Sequence, residues 1–172
     1  MNLAMERPDI ARENCEAVPI ASPTHDGCRM ALLVIELGTR NYHVTRELLL
    51  NNPKVDDEES RHLATEIADA LEGHGDRITV ARQLLAMPYH AVFDPGYPGT
   101  MHDSALPALL LALDEPDIAL QRFVSNADNE PKDALVVIWD PMLDAIRCDP
   151  SFVSTVTELN VVDWRAVKVC QQ

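Results

Sequence analysis

The tetrapeptide Pro8-Asp9-Ile10-Ala11 recurs as Pro116-Asp117-Ile118-Ala119. The offset of 108 residues is three times 36, near the roughly 34-residue period of helix–turn–helix repeats. Such a period confines a chain to stacked helical pairs, because each pair buries its apolar face only against a neighbour. Proline marks where the helices begin. It lacks an amide donor and its φ is fixed near the helical value, so it suits the first helical position. Pro8, Pro116, Pro131, Pro141 and Pro150 each lead a run with helical apolar spacing, and each follows a charged residue: Arg7, Glu115, Glu130, Asp140 or Asp149. Asp140 and Asp149 are expected to cap their helices directly.

The pattern continues between the two copies. Residues 25–37 read as a helix stopped by Gly38, a residue suited to the left-handed C-terminal position. A second helix is expected over 41–50, with Val44, Leu48 and Leu49 apolar and Asn51-Asn52-Pro53 ending it. Asp56-Asp57-Glu58-Glu59 is an acidic capping start. The helix after it, 57–72, places Leu63, Ile67, Ala70 and Leu71 on one face. Gly73-His74-Gly75 breaks that helix. Asp76 opens the next, with Ile78, Ala81, Leu84 and Leu85 apolar and Pro88 beyond its end. A Pro/Gly-rich stretch, 89–99, precedes a last pair over 103–114 and 116–127. The second helices of the pairs begin near Pro8, Asn41, Asp76 and Pro116, at spacings of 33, 35 and 40. Ile10 and Ile118 are expected to pack inward.

Composition narrows the function classes. A hydrophobic fraction of 47% with 24% charged residues is that of a folded domain. Aromatic residues make up only 5%, which favours close helix packing over sheets rich in aromatic and β-branched residues. The 172 residues are expected to form one domain, a repeat array over 1–128 and a capping segment over 129–172. A formal charge of −14, from 14 basic against 28 acidic residues, argues against nucleic acid, whose binding draws on clustered Lys and Arg. Cys15, Cys28, Cys148 and Cys170 show neither a CxxC pair nor a metal-ligand spacing. Reduced, buried thiols in a cytoplasmic protein are therefore expected. No signal peptide is visible in residues 1–9, and the apolar run 105–113 contains Pro107 and is too short to span a bilayer.

These residues resemble tetratricopeptide (TPR) repeats. The third unit fits best, through Ile67, Ala68, Leu71, the turn Gly75-Asp76 and Ala81; the second offers Met30, Ala31, Val34 and Gly38. The first and fourth replace the turn glycine with Arg7 and Glu115 beside proline. The segment from Trp139 to Phe152 is similar to the closing segment of bacterial TPR domains, approximately Trp-x-Pro-x-x-x-x-x-Arg-x-Asp-Pro-x-Phe. Leu159-Asn160-Val161-Val162-Asp163-Trp164-Arg165 follows it, with Asn160 in place of the usual glycine. Such domains often lie downstream of winged-helix transcriptional regulators or nucleotide cyclase domains. The resemblance implies an all-α fold, a short right-handed α-α solenoid of about four TPR-like helical pairs with a C-terminal helical cap. Independently of it, Trp139, Leu143, Ile146, Phe152, Val156 and Leu159 supply an apolar set that would seal an open stack end. Arg147 would then bond a helix-end carbonyl or Asp149, a structural role.

Chemistry-bearing constellations are sparse. His25, His43, His62, His74, His90 and His102 form no zinc-protease frame. Ser22 and Ser104 lack a nucleophile-elbow context, and Gly73-x-Gly75 lacks the third glycine of a dinucleotide loop. The acidic run 56–59 lacks the alternating ligands of an EF-hand. No catalytic residue, metal or cofactor is assigned, and the chain is read as a non-enzyme. The expected site is the concave groove of the array. Its candidate lining is His62, Thr65, Asp69 and Glu72 from the third unit, with Arg29 and Glu36 from the second. The chain has no Lys/Asn pattern for clamping a terminal carboxylate, so a basic peptide or protein segment is the expected partner, with no nucleic acid and no membrane. Exposed helix faces at the incomplete first unit suit a homodimer. The alternative reading is a ligand-sensing regulatory domain, related to the C-terminal half of a transcriptional regulator or cyclase.

Overall fold

Each of the five proline-led runs is helical at its proline. The computed structural model describes residues 7–18, 25–51, 55, 58–87, 101–129, 131–161 and 169–170. Its helices are α1 (Pro8–Glu16), α2 (His25–Gly38), α3 (Tyr42–Leu50), α4 (Glu58–Leu71), α5 (Arg77–Ala86), α6 (Met101–Ala112), α7 (Pro116–Asn129), α8 (Pro131–Val137) and α9 (Pro150–Glu158), with a 3-10 helix at Pro141–Ala145 between the last two. Among the described residues there is no strand, so the all-α expectation holds. Asp140 Oδ1 accepts from the Met142 amide and Asp149 Oδ1 from the Ser151 amide, each at 2.8 Å. Both bonds satisfy amides that the first helical turn leaves free.

The three central hairpins share one turn. After α2, the Arg40 amide bonds Leu37 O and the Asn41 amide bonds Glu36 O. After α4 the same pair of bonds runs from Gly73 to Ala70 and from His74 to Asp69, and after α6 from Asp114 to Leu111 and from Glu115 to Leu110. This is the Schellman closure, which requires a left-handed residue just past the helix. Arg40 (φ 56°), Gly73 (φ 83°) and Asp114 (φ 60°) occupy that position. Gly38 does not, contrary to expectation. It remains helical, because the chain carries the turn two residues further before α3 can start. Asn160 (φ 55°) closes α9 in the same way, as its place in the tail predicts.

The turns meet at one end of the molecule. Asp114 pairs with Arg77, at the start of α5, and lies 3.7 Å from Arg40. The Tyr42 hydroxyl donates to Ala112 O at 3.4 Å. Around this end the helices pack as a closed circuit: α2 on α3, α3 on α4, α4 on α5, α5 on α7, α7 on α6, and α6 back on α2. The last pairing directly joins two hairpins that are not consecutive in the chain, α2–α3 and α6–α7. α6 also packs against α8 and the 3-10 helix. Its Leu106, Leu109 and Leu110, with Leu113 just past its end, are accordingly fully buried in the larger core.

The C-terminal segment builds a second core. Leu143, Ile146, Phe152 and Val156 are buried with Phe123 of α7, and Trp139 and Leu159 pack against them. All six residues of the expected sealing set thus share one cluster. The Phe123 and Phe152 rings stack with centroids 4.5 Å apart.

Several apolar expectations are corrected. Ile118 is buried, but Ile10 is 41% exposed. The inner side of α1 is formed instead by half-buried Ala11, Arg12 and Cys15. Ile78 is exposed and Val80 is buried in its place, because α5 turns its 80–81–84 face to the core. The cysteines are not free thiols. Cys15 pairs with Cys28 and Cys148 with Cys170, at Cα separations of 5.0 and 5.5 Å. Tertiary packing sets both partners, and spacings of 13 and 22 residues carry no pattern that would announce them. Asp56, Asp57, His90 and residues 162–165 of the tail lie outside the described residues.

Candidate binding surface

The helix α4 is apolar on one side only. Ala64, Ile67, Ala68 and Leu71 enter the core, while Glu58, Glu59, Arg61 and His62 are exposed and Thr65 is half-exposed. These five outer residues line an open cleft of about 680 Å³ at the start of the helix. The two glutamates sit in the first turn, where carboxylates are favoured by the positive end of the helix dipole. His62 lies 3.5 Å from Glu66 one turn on. Thr65 Oγ1 donates to Arg61 O at 2.8 Å.

Further along α4 the acidic side chains are committed to the fold. Arg46 of α3 donates through Nε and an Nη to Glu72 at 3.0 and 2.8 Å, and also bonds Asp69. The Arg46 hydrogen bond is the main reason the Glu72 carboxyl lies below its ordinary value, with the guanidinium's charge adding to it. Asp76, capping α5, is likewise held low, first by the Thr79 hydroxyl at 2.7 Å and then by the Thr79 amide. A carboxyl whose folded pKa is depressed contributes stability above its unfolded value and loses it as the pH falls through the folded one. Stability is therefore expected to decline with acidification below about pH 4.5. Urea midpoints across that range should fall less steeply in Glu72→Gln. A variant with the wild-type pH slope would refute the assignment.

The six groove candidates divide three ways. His62 and Thr65 share the cleft, where Glu58, Glu59 and Arg61 join them. Asp69 in the last turn of α4 and Glu72 just past its end are both paired with Arg46. Arg29 and Glu36 are placed elsewhere. Arg29 donates to Leu48 O at 2.8 Å, pinning α2 to the last turn of α3. Glu36 is 1% exposed and accepts from Arg12 Nε and Nη at 2.8 and 2.6 Å and from Asn41 Nδ2 at 2.7 Å. The seven-residue spacing does put both on one side of α2, but α3 and α1 cover that side. Glu58 and Glu59 were legible as an acidic run and read as capping; Arg46 carried no sequence signal, because its partners lie 23 and 26 residues away.

Among the described residues no group of three or more His, Cys, Asp or Glu is placed to hold a metal ion, and no helix is long and apolar enough to cross a membrane. The chain matches no known family model, no characterised protein and no solved structure.

Proposed function

We propose that the protein is a non-catalytic interaction or regulatory module that holds a basic peptide or partner-protein segment on the acidic face of α4. The cleft lined by Glu58, Glu59, Arg61, His62 and Thr65 carries this reading. It is open enough for a chain segment and begins with two uncommitted carboxylates, on a protein of formal charge −14. A field of that sign speeds the approach of basic segments and sets their orientation more than it sets affinity. The shared Schellman turns support a TPR-like origin for the hairpins, and the α2–α6 pairing fits a repeat array curled onto itself. The two disulfides favour an oxidising setting over the cytoplasm expected from free thiols.

The test is fluorescence anisotropy with a labelled Lys/Arg-rich peptide at low and high salt. Binding should weaken as salt screens the cleft, and Glu58→Gln/Glu59→Gln should lower affinity about five- to tenfold. Salt-insensitive binding, or wild-type affinity in the double variant, would remove the cleft from consideration.

A further inference from the structure

We propose that α1 is a redox-released strap, held over α2 by the Cys15–Cys28 bridge and the Arg12–Glu36 ion pair and freed when a dithiol reduces that bridge. The helix is poorly equipped to stay in place otherwise. It has nine residues, fewer than the length at which an isolated helix persists in water. Its packing is on α2, through half-buried Ala11, Arg12 and Cys15, while its one large aliphatic side chain, Ile10, faces solvent. A surface helix is normally held by an apolar stripe. Among the described side chains, the inner side offers one methyl group, one guanidinium and one sulfur.

Both anchors reach the same neighbour. Cys28 lies in the first turn of α2 and Glu36 in its last turns, so the strap is fastened at both ends of the helix beneath it. Of the two, the bridge closes a chain loop and so limits how far α1 can depart when the ion pair opens. Cys15 and Cys28 are only half-buried, within reach of an attacking thiolate. One thiolate of the dithiol attacks a bridge sulfur, forming a mixed disulfide and releasing one cysteine thiolate, which takes a proton. The second thiol of the reductant then displaces the remaining cysteine, which is protonated in turn. Two electrons pass from the dithiol to the bridge, and the reductant leaves as its own disulfide.

Release changes the surface chemistry at a defined place. Glu36, now 1% exposed, loses the guanidinium that neutralises it and keeps the Asn41 amide as its neighbour. A buried carboxylate without its partner is costly, so α2 would present a newly hydrated anionic acceptor on that side. The strap therefore couples the oxidation state of one bridge to exposure of one carboxylate. This coupling is independent of what the α4 cleft binds.

Hydrogen exchange on the full chain tests the proposal, with the wild type oxidised and after dithiothreitol, and with C15S/C28S and C148S/C170S both kept under oxidising conditions. Amides of Arg12 to Glu16 should exchange about tenfold or more faster in the reduced wild type and in C15S/C28S, while α6 and α7 keep their protection. In C148S/C170S, α1 should stay as protected as in the oxidised wild type. Retained α1 protection after reduction would overturn the strap. So would loss of α6 protection in step with α1, release of α1 in C148S/C170S, or four titratable thiols in the oxidised wild type.

Discussion

Replacing Arg147 with alanine is expected to lower the unfolding free energy by about 3–5 kcal/mol. By the usual size scaling that is a drop of roughly 10 °C in melting temperature. The side chain has no solvent-accessible surface. Its Nε donates to Asp144 Oδ1 at 2.8 Å and an Nη to Asp140 O at 3.1 Å. Its guanidinium carbon also lies 5.5 Å from the centre of the Phe152 ring, within cation–π range. Truncation takes the guanidinium from the Asp144 carboxylate, leaves the Asp140 carbonyl with its Leu143 amide donor but without the Arg147 one, and opens a cavity beside Phe152. Two further variants separate bonding from volume. Arg147→Lys should recover little, because an ammonium cannot serve two acceptors in the fixed directions of a guanidinium. Arg147→Met keeps most of the volume and removes the charge, so it should lose less than alanine. Urea unfolding of the three variants gives the order; a near-neutral alanine variant would end the argument for a structural knot.

That knot is the part of the molecule that the sequence made most readable, and the reason is local. The Asp-Pro steps at 140–141 and 149–150 need only the next two residues to form their caps, so the motif folds much as it reads. Arg147, expected to bond either a helix-end carbonyl or Asp149, bonds the carbonyl of Asp140, the residue that caps the start of the 3-10 helix. Its acidic partner is Asp144, three residues earlier in the 3-10 helix, rather than Asp149, whose side chain caps α9. The start at Asp76 is legible for the same local reason, since its side chain accepts from the Thr79 amide, whereas Asn41 begins α3 without a side-chain cap and donates to Glu36 instead.

What could not be read depends on contacts between distant segments. Glu36 has helical spacing from Arg29 and a polar side chain, which together suggest a solvated face. Its burial is dictated by Arg12, 24 residues earlier. The disulfides follow the same rule, as does the exposure of Ile10. The Pro-Asp-Ile-Ala repeat is thus a repeat of helix starts and not of environments. Ile118 enters the core beneath α6, while Ile10 sits on a helix attached from outside. Of the site, the acidic run at 58–59 was visible, but only the packing of α4 shows that it opens a cleft together with His62 and Thr65.

The circuit of helices makes its own prediction at Leu110. This residue is fully buried at the centre of the larger core, on a helix that packs against α2, α7 and α8 at once. Leu110→Ala should cost about 3–5 kcal/mol, the upper part of the range for buried leucines, because three packed neighbours leave little freedom to collapse into the space. The distribution of that loss is more informative than its size. In an open stack each unit contacts only the next, so damage in the fourth unit would leave the second largely protected. With α6 closed onto α2, Leu110→Ala should accelerate amide exchange in α2 and α7 together, and unfolding should remain a single transition. The control is Leu84→Ala, equally buried but on α5, whose main packing is on α4 and α7 rather than on the α2–α6 pair. If Leu110→Ala frees α7 while α2 keeps wild-type protection, then the α2–α6 packing contributes little, and the hairpins behave as a linear array. If both helices loosen together, it is the contact between the α2–α3 and α6–α7 hairpins that makes the larger core one cooperative body.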